Sequence, residues 1–437
     1  MLRLAWPVLI EQFLVILVGL VDTWLTGQYL EQYHLAAMNL MAYALWLLPA
    51  TFAAVGMGAT ALIARFVGAK DMASAHWATN QAFVLGLGLS VAVTLVALPL
   101  APAWVAAMQL QGDSAEAATR YLWIILPATP AVMLEVVGNA CLRGAGCMTA
   151  SLAVMAVVNV VNIAVGIGLV LGLGPLPRLG WEGLAVGTAS GYVAGGLLVA
   201  ALLLSGRTGL RLDWRQLRPD PPFIRRILRI GLPGATDMLA VIACHLWFLG
   251  IVNRLGEMAS AAHGVAVRIE SLAYLPGAAF QVAAATLTGQ FLGAGDPHRA
   301  GRSVLSACLT AAALMTVAGI ALYFAARPLA DAFLSADQAD VAATAAELLR
   351  IVSFGMPALA LTMVLSGALR GAGDTRWPLV LNFLGLLGVR IPAAYLLSHH
   401  LGYGVAGAWY AMVADLWVRC LLISWRFAHG GWKRIEV

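Results

Sequence analysis

Several carboxylic acids lie inside long apolar stretches of the chain, where a membrane protein would exclude charge. Asp22, within the run Val18-Gly-Leu-Val-Asp-Thr-Trp-Leu-Thr-Gly27, is the first to be explained. A charge at the centre of a membrane helix costs about 2.5–3.5 kcal/mol on insertion scales. Such an acid is therefore paired with a cation, exposed to water, or a site that binds a proton or an ion. The acids in apolar stretches are Glu11, Asp22, Glu135, Asp237, Glu270, Glu347 and Asp415.

Two of these acids have a basic residue on the same helical face. Arg350 follows Glu347 by three residues and Arg419 follows Asp415 by four, spacings that let side chains meet on a helix. Both pairs are predicted to be structural. Glu270 has Arg268 only two residues away, so any partner of Glu270 is expected on another helix.

Asp22 and Glu11 have no basic residue within helical reach. They are roughly three helical turns apart, so they lie on nearly the same stripe about 16 Å from each other. An acid near each end of such a stripe suits a helix that faces a water-filled cavity. The alternative for Asp22 is a structural aspartate whose carboxyl is hydrogen-bonded by hydroxyls and amides. Asp237 follows Pro233 by four residues, as Glu11 follows Pro7.

The elements that position these acids are predicted to be membrane helices. The 437 residues are 61% hydrophobic and 11% charged, whereas soluble domains have roughly 25% charged residues. The apolar runs are continuous and do not alternate, which excludes barrel strands. Each is long enough to span a bilayer. The predicted fold is an all-α membrane protein with spans near 4–28, 39–64, 76–100, 117–141, 149–173, 181–205, 227–252, 262–289, 303–326, 342–369, 377–398 and 403–425.

The basic residues predict the orientation of these spans. Most of the 26 Lys and Arg fall in one set of alternate loops and at the termini, so these are predicted to be cytoplasmic, in a multi-pass protein of the inner or plasma membrane. The net charge of +5 then reflects topology and lipid contact, and nucleic-acid binding is not expected. The five scattered cysteines are interpreted as packing residues, and no metal or cofactor is expected.

The second half of the chain repeats the first. Phe66-Val-Gly-Ala-Lys-Asp71 reappears as Phe291-Leu-Gly-Ala-Gly-Asp296, and Leu142-Arg-Gly-Ala-Gly146 reappears as Leu369-Arg-Gly-Ala-Gly373. Each copy is displaced by about half the chain, which predicts two homologous bundles of six helices related by an axis along the membrane normal. The predicted domains are an N-terminal six-helix lobe at 1–206, a cytoplasmic linker at 207–224 and a C-terminal six-helix lobe at 225–437.

These repeated loops, with Pro7 before Asp22 and Gly264-Val-Ala-Val-Arg-Ile-Glu270, carry a family resemblance. The chain resembles the multidrug and toxic compound extrusion (MATE) family and is most similar to its DinF-like branch. The resemblance implies a V-shaped pair of six-helix lobes. It also implies alternating access and the export of amphiphilic, often cationic, compounds in exchange for inward H+ or Na+.

The resemblance also implies a coupling site. Asp22 matches the coupling carboxylate of the family, Asn162 matches its asparagine partner and Thr188 matches its threonine partner. A second aspartate of that set is missing, because Gly166 stands in its place. A Na+ site needs several oxygen ligands, so the loss favours H+ over Na+ without deciding between them. Glu270 and Asp237 are the candidates for coupling in the C-terminal lobe.

The substrate cavity is predicted from aromatic and methionine side chains, which bind flat cations through cation–π and dispersion contacts. The candidates are Glu11, Tyr43, Met57, Met133 and Trp247. The expected partners are a small amphiphilic organic substrate and membrane lipids, and the protein is expected to function as a monomer.

Two other functions are weighed against export. A flippase for lipid-linked precursors would also have two bundles, but many such flippases have extra helices and a strongly cationic cavity, whereas this chain has few arginines in its spans. An intramembrane enzyme is not supported, because the chain contains neither an H-E-x-x-H nor a G-x-S-x-G motif. The chain is therefore predicted to be a transporter and not an enzyme.

Overall fold

The computed structural model describes residues 2–213, 216–334 and 338–435. Throughout these residues the chain is helical, with short connections and no strand. The α-helices are α1 Leu2–Tyr29, α2 Gln32–Ala50, α3 Ala53–Gly68, α4 Met72–Ala107, α5 Gly112–Ile125, α6 Thr129–Gly144, α7 Met148–Leu171, α8 Trp181–Ser205, α9 Pro221–Asn253, α10 Glu257–Gly293, α11 Pro297–Asp331, α12 Ala339–Ser353, α13 Met356–Gly371, α14 Arg376–Gly385, α15 Ile391–Tyr395 and α16 Gly404–His429.

The helices account for the predicted spans. Within the described residues, ten helical stretches are long and apolar enough to cross a membrane, and the pair α12–α13, bent by 54°, adds an eleventh. The remaining long helix, α10, has 37 residues and coincides with the predicted eighth span. It contains polar residues in this span, among them Arg268, Glu270 and Gln281. The prediction of an all-helical membrane protein is confirmed.

Several spans are interrupted near prolines, which cannot donate a helical hydrogen bond. A 3-10 turn at Leu126–Ala128, containing Pro127, separates α5 from α6. Two π-helical turns, Leu386–Arg390 and Leu396–His400, flank α15. A π turn inserts an extra residue and so changes the direction in which the next side chain points. The first of these turns ends at Arg390, a buried residue of the C-terminal half.

The chain forms two compact units. One consists of residues 10–231, and the other of the described residues before Ile10 and from Leu232 onward. Here they are called the first unit and the second unit. Both boundaries fall inside helices, within α1 and within α9. In the first unit α8 packs most extensively on α7, and in the second unit α13 packs most extensively on α10. The predicted domain division at 1–206, 207–224 and 225–437 stays a prediction.

The linker predicted at 207–224 is held by polar side chains of α4 within the first unit. The Asn80 Oδ1 accepts from the backbone N–H of Asp213 at 3.0 Å. The Gln81 side chain donates to the Arg218 carbonyl at 2.8 Å and accepts from the Asp220 N–H at 2.9 Å. These bonds satisfy backbone groups of a segment that has little regular structure.

The repeated sequences fold into the same turns in both halves. In the LRGAG loops, Gly146 and Gly373 have φ of 85° and 86°. In the other repeated loop, Asp71 accepts from Ser74 N–H and Asp296 accepts from Arg299 N–H, each capping the next helix. The bonds from Ser74 hold the pKa of the Asp71 carboxyl below its usual value.

Glycines let α7 and α8 approach until their backbones touch. A Cβ on Gly187 would lie 2.8 Å from the Gly166 Cα, and a Cβ on Gly191 would lie 2.8 Å from the Val158 carbonyl oxygen. Both distances are shorter than a van der Waals contact to rigid backbone allows. This close approach brings side chains of α7 and α8 within hydrogen-bonding distance of each other.

We expect Gly187→Ala to destabilise the protein by about 1–3 kcal/mol, because the added methyl group forces α7 and α8 apart. The matched control is Gly88→Ala on α4, where an added Cβ meets no atom within 4 Å. Thermal unfolding in detergent measures both variants. Equal melting temperatures for the two would show that the α7–α8 contact is not tight.

Candidate ion-coupling site

Asp22 is buried within the first unit, with 1% of its surface exposed. It lies on α1, and its Oδ2 accepts a hydrogen bond from the Thr188 hydroxyl of α8 at 3.0 Å. The described residues place no arginine, lysine or histidine within ion-pair distance of it. Asp22 is therefore an acid deep in a membrane helix whose hydrogen-bond partner is neutral.

Thr188 is the centre of a small polar cluster. Its hydroxyl accepts from the Asn162 side chain of α7 at 3.1 Å and from the Tyr121 hydroxyl of α5 at 3.3 Å. It also lies 3.1 Å from the carbonyl oxygen of Leu184, one turn earlier on α8. The sequence placed Asp22, Asn162 and Thr188 in one site, and the structure brings these three together. It adds Tyr121, which no motif indicated.

The cluster provides hydrogen bonds for both protonation states of Asp22. The Thr188 hydroxyl has one hydrogen and two acceptors within reach, Asp22 and the Leu184 carbonyl. When Asp22 is ionised, the hydroxyl donates to it. When Asp22 carries a proton, the hydroxyl turns to Leu184 and accepts from the carboxyl in place of one of its other two donors, the Tyr121 hydroxyl or the Asn162 amide. A proton can thus bind and leave without the backbone moving.

The same cluster offers few ligands to a metal cation. Besides the Asp22 carboxylate and the hydroxyls of Thr188 and Tyr121, it provides the Asn162 Oδ1, which is buried without a hydrogen-bond partner. Gly166, one turn after Asn162, contributes no side-chain oxygen. No group of three or more His, Cys, Asp or Glu side chains that could hold a metal occurs in the described chain.

Glu11 has a different environment from Asp22, although it lies on the same helix. Its Oε1 accepts from Arg143 of the first LRGAG loop at 2.7 Å, and its Oε2 accepts from Ser151 of α7 at 3.0 Å. Both partners donate hydrogen bonds, so they stabilise the charged carboxylate. Glu11 was predicted to line the substrate cavity, but its side chain is 2% exposed and occupied by this ion pair.

Asp237 forms the equivalent pair in the second unit. It accepts from Arg370 of the second LRGAG loop, and from the Asn382 side chain at 2.8 Å. Asp237 was predicted as a coupling residue, and the structure gives it a cationic partner. The repeat could have revealed both partners, since Arg143 and Arg370 occupy the same position of the repeated loop.

Asp415 lies between two arginines of the second unit. Arg419, one turn later on α16, and Arg390, from the π turn, each donate to it at 2.9 Å. The predicted pair of Asp415 with Arg419 is therefore present, and Arg390 is an additional partner from another helix. Glu347 and Arg350 are both exposed, and the described structure has no ion pair between them.

Glu270 of α10 is half-buried and interacts electrostatically with Arg390. No hydrogen bond or ion pair of its carboxyl is present among the described residues. The predicted partner on another helix is thus a guanidinium that already binds Asp415. Glu270 therefore interacts with the group formed by Asp415, Arg390 and Arg419 but has no ion pair with it among the described residues.

Comparison with known proteins identifies the family. The MatE family model matches residues 7–167 and 233–396, one segment in each half of the chain. The chain belongs to the MATE family. Members of this family are transporters, and the segment boundaries agree with the internal repeat. The DinF-like branch stays a prediction.

Similar proteins with multidrug resistance names cover the whole chain. A probable multidrug resistance protein NorM of Thermotoga maritima is 28% identical over 444 residues, covering 100% of this chain and 93% of that protein. A multidrug resistance MATE transporter solved in an outward-facing conformation superposes with a TM-score of 0.92 at 24% identity, over 99% of this chain and 96% of that one.

A second structural relative also covers nearly the whole chain. It is a MOP superfamily transporter from Pyrococcus furiosus, with a TM-score of 0.91, 24% identity and coverage of 99% of this chain and 96% of that chain. For that protein, a reversed polarity of the binding pocket has been taken to suggest a different function. Because both solved structures are only 24% identical to this MATE chain, the two similarities establish its fold and nothing further.

The other residues predicted for the substrate cavity of this MATE protein differ in exposure. Tyr43 and Trp247 are exposed by 60% and 52%, and Met57 is half-buried. Met133 is buried against α4, where its sulfur occupies the space beside Gly86. Met133 therefore offers no surface to a substrate in this conformation, and the cavity role of the other three stays a prediction.

We expect Asp415→Asn to destabilise the protein by about 3–5 kcal/mol, because it leaves two buried arginines without a counter-charge. The matched control is Asp331→Asn, which breaks an exposed pair with Arg327 at the end of α11 and should change stability little. Thermal unfolding in detergent measures both. Similar losses of stability in the two variants would contradict a structural role for Asp415.

Proposed function

We propose that this MATE protein is an antiporter that exports amphiphilic, mainly cationic, organic compounds in exchange for inward protons. Alternating access of the two lobes couples the two movements, and Asp22 carries the proton. The observation that carries the proposal is that Asp22 is buried in a membrane helix with a neutral hydrogen-bond partner. A buried acid without a cationic partner destabilises the folded protein when it is ionised, so its presence favours a functional role in binding and releasing a proton.

The choice of H+ over Na+ is supported by the small number of oxygen ligands. A second carboxylate is missing at Gly166, and the remaining groups of the cluster are the hydroxyls of Thr188 and Tyr121 and the Asn162 amide. A proton needs only a hydrogen-bond acceptor in place of a coordination shell. Each proton that crosses a membrane potential of about 100 mV supplies about 2.3 kcal/mol, and any pH gradient adds to this.

The physiological setting is part of the proposal. The arginine-rich loops and both termini face the cytoplasm, the protein lies in the inner or plasma membrane, and one chain is sufficient for transport. The substrate class is supported by the multidrug resistance names of relatives such as the Thermotoga maritima protein. Charge exchange also favours a cationic substrate, because proton and substrate can alternate at the same buried acids.

We expect Asp22→Asn to reduce proton-driven export at least about tenfold. The amide has the shape of the carboxyl, but it cannot bind and release a proton. The measurement is efflux of a cationic dye such as ethidium from proteoliposomes under an imposed pH gradient. The control is Asp113→Asn, an exposed acid in the first turn of α5.

The melting temperature of Asp22→Asn should stay close to that of the wild type, which separates a loss of coupling from a loss of folding. Export by Asp22→Asn at the wild-type rate would place coupling elsewhere, with Glu270 as the next candidate. Wild-type export that responds to a Na+ gradient and not to a pH gradient would contradict the choice of ion.

We expect Gly166→Asp to make export responsive to a Na+ gradient, because it restores a carboxylate one turn from Asn162. A Cβ at this position meets no atom within 4 Å, so the first atom of the new side chain causes no steric clash. Gly166→Ala is the control, since it adds the Cβ without the carboxylate. Dye efflux under a Na+ gradient without a pH gradient measures the effect. A folded Gly166→Asp without a Na+ response would show that this carboxylate does not select the ion.

A flippase for lipid-linked precursors is the second candidate. It would need excess positive charge for an anionic substrate. The arginines that are buried among the described residues of the second unit, Arg390 and Arg419, are already paired with Asp415. This pairing supports export over lipid translocation. If proteoliposomes with the protein translocate a lipid-linked pyrophosphate but no cationic dye, the flippase becomes the favoured function.

A further inference from the structure

Glu135 of α6 is a second buried acid of the first unit whose hydrogen bond comes from a neutral side chain. It is 4% exposed, and its Oε1 accepts from the Asn139 side chain one turn later at 2.5 Å. Among the described residues, no basic side chain lies within ion-pair distance of it. The Oδ1 of the same Asn139 is buried without a hydrogen-bond partner. The site therefore contains an acceptor for which the described chain provides no donor.

An amide partner suits both forms of a carboxyl, which an arginine does not. Ionised Glu135 accepts from the amide nitrogen of Asn139. Protonated Glu135 can donate to the amide oxygen after the amide rotates by half a turn. The protonated carboxyl would then supply the hydrogen-bond donor that the Asn139 Oδ1 lacks. Glu11, by contrast, is bound by Arg143, which can only donate and therefore stabilises the ionised carboxylate.

Glu135 lies along the helices between the Asp22 cluster and the ion pair of Glu11. A Cβ on Gly195 of α8 would touch the Glu135 Cγ at 3.4 Å. Thr188, the partner of Asp22, precedes Gly195 on α8 by two turns on nearly the same face, about 10 Å along the axis. In the other direction, Arg143 follows Glu135 by about 12 Å on α6.

The charged and titratable groups around Glu135 come from several helices. Arg143 and Glu11 act on it electrostatically from the side of the arginine-rich loops. Tyr192 of α8 interacts with both Glu135 and Asp22, and it lies between Thr188 and Gly195 in the sequence. These electrostatic interactions link Glu135 to both ends of the line from Asp22 to Glu11.

We propose that Glu135 is a second proton-binding carboxyl of the first unit, which takes up the proton released by Asp22 and passes it toward the Glu11–Arg143 end. The inference rests on the proposed function, because it assumes that Asp22 exchanges protons. In the transfer Asp22 becomes a carboxylate, Glu135 becomes a carboxylic acid, and water carries the proton between them. Asn139 is its positioning residue, since its amide serves the carboxyl in both states.

The first test is proton-driven dye export by Glu135→Gln and Glu135→Asp in proteoliposomes. We expect Glu135→Gln to lose at least about tenfold in rate, while Glu135→Asp keeps most of the rate with a shifted pH profile. Glu116→Gln is the matched control, because Glu116 of α5 is exposed and paired with Arg120. Export by Glu135→Gln at the wild-type rate and with the wild-type pH profile would overturn the inference.

The second test does not depend on transport, so it separates failure of this inference from failure of the proposed function. Infrared titration of the purified protein follows the C=O stretching band of protonated carboxyls. A titrating band that is present in wild type, missing in Glu135→Gln and displaced in Glu135→Asp supports a proton-binding Glu135. A Glu135 that stays ionised over the whole titration overturns it. Absence of proton-driven export in the wild type, with that band present, would contradict the proposed function alone.

Discussion

The cost of placing a charge in the hydrocarbon core determines how this chain uses its acids. Removing an ion from water costs several kcal/mol even after the protein relaxes, so a buried carboxylate needs strong donors or must give up its charge. The described structure contains both solutions. Glu11, Asp237 and Asp415 are each bound by arginine. Asp22 and Glu135 are each bound by a neutral hydroxyl or amide.

The two kinds of acid are distributed unevenly over a duplicated architecture. The arginine of each LRGAG loop binds the acid that follows the first proline of its half, so the ion pairs Glu11–Arg143 and Asp237–Arg370 are equivalent in the two halves. Apart from this shared ion pair the halves differ. The first unit contains the two acids with neutral partners, while the second unit contains a carboxylate between two arginines. Duplication thus preserved the structural ion pairs, and the groups suited to proton exchange lie in the first unit.

The sequence predicted features that depend on local pattern, and it missed those that depend on how helices rotate against each other. Apolar runs predicted the spans, and the repeated loops predicted turns that the structure forms twice with the same φ. The spacing of Asp415 and Arg419 predicted their ion pair. No spacing rule could find Arg143 for Glu11, because the two are far apart in the chain. Arg390 was missed for a further reason, since a π turn re-aims it toward Asp415.

The candidate site was predictable only in part. Asp22, Asn162 and Thr188 were placed together through the family resemblance, while Tyr121 depends on the packing of α5 against α8. The bond between Glu135 and Asn139 follows from their spacing of one turn on α6 and was within reach of the sequence. The close approach of α8 to α7 follows from glycines such as Gly187 and Gly191, whose role is visible only when the backbone of α7 lies against them. A glycine pattern in a membrane helix indicates close packing but does not say which neighbour it admits.

Proton release on substrate binding tests the central claim most directly. The purified wild-type protein in weakly buffered detergent is saturated with a cationic dye, and the pH change is recorded. If acids with neutral partners exchange protons for substrate, dye binding releases protons from the wild type and fewer from Asp22→Asn, while Asp113→Asn behaves like the wild type. Dye binding without proton release in the wild type, or with equal release in Asp22→Asn, would contradict the account.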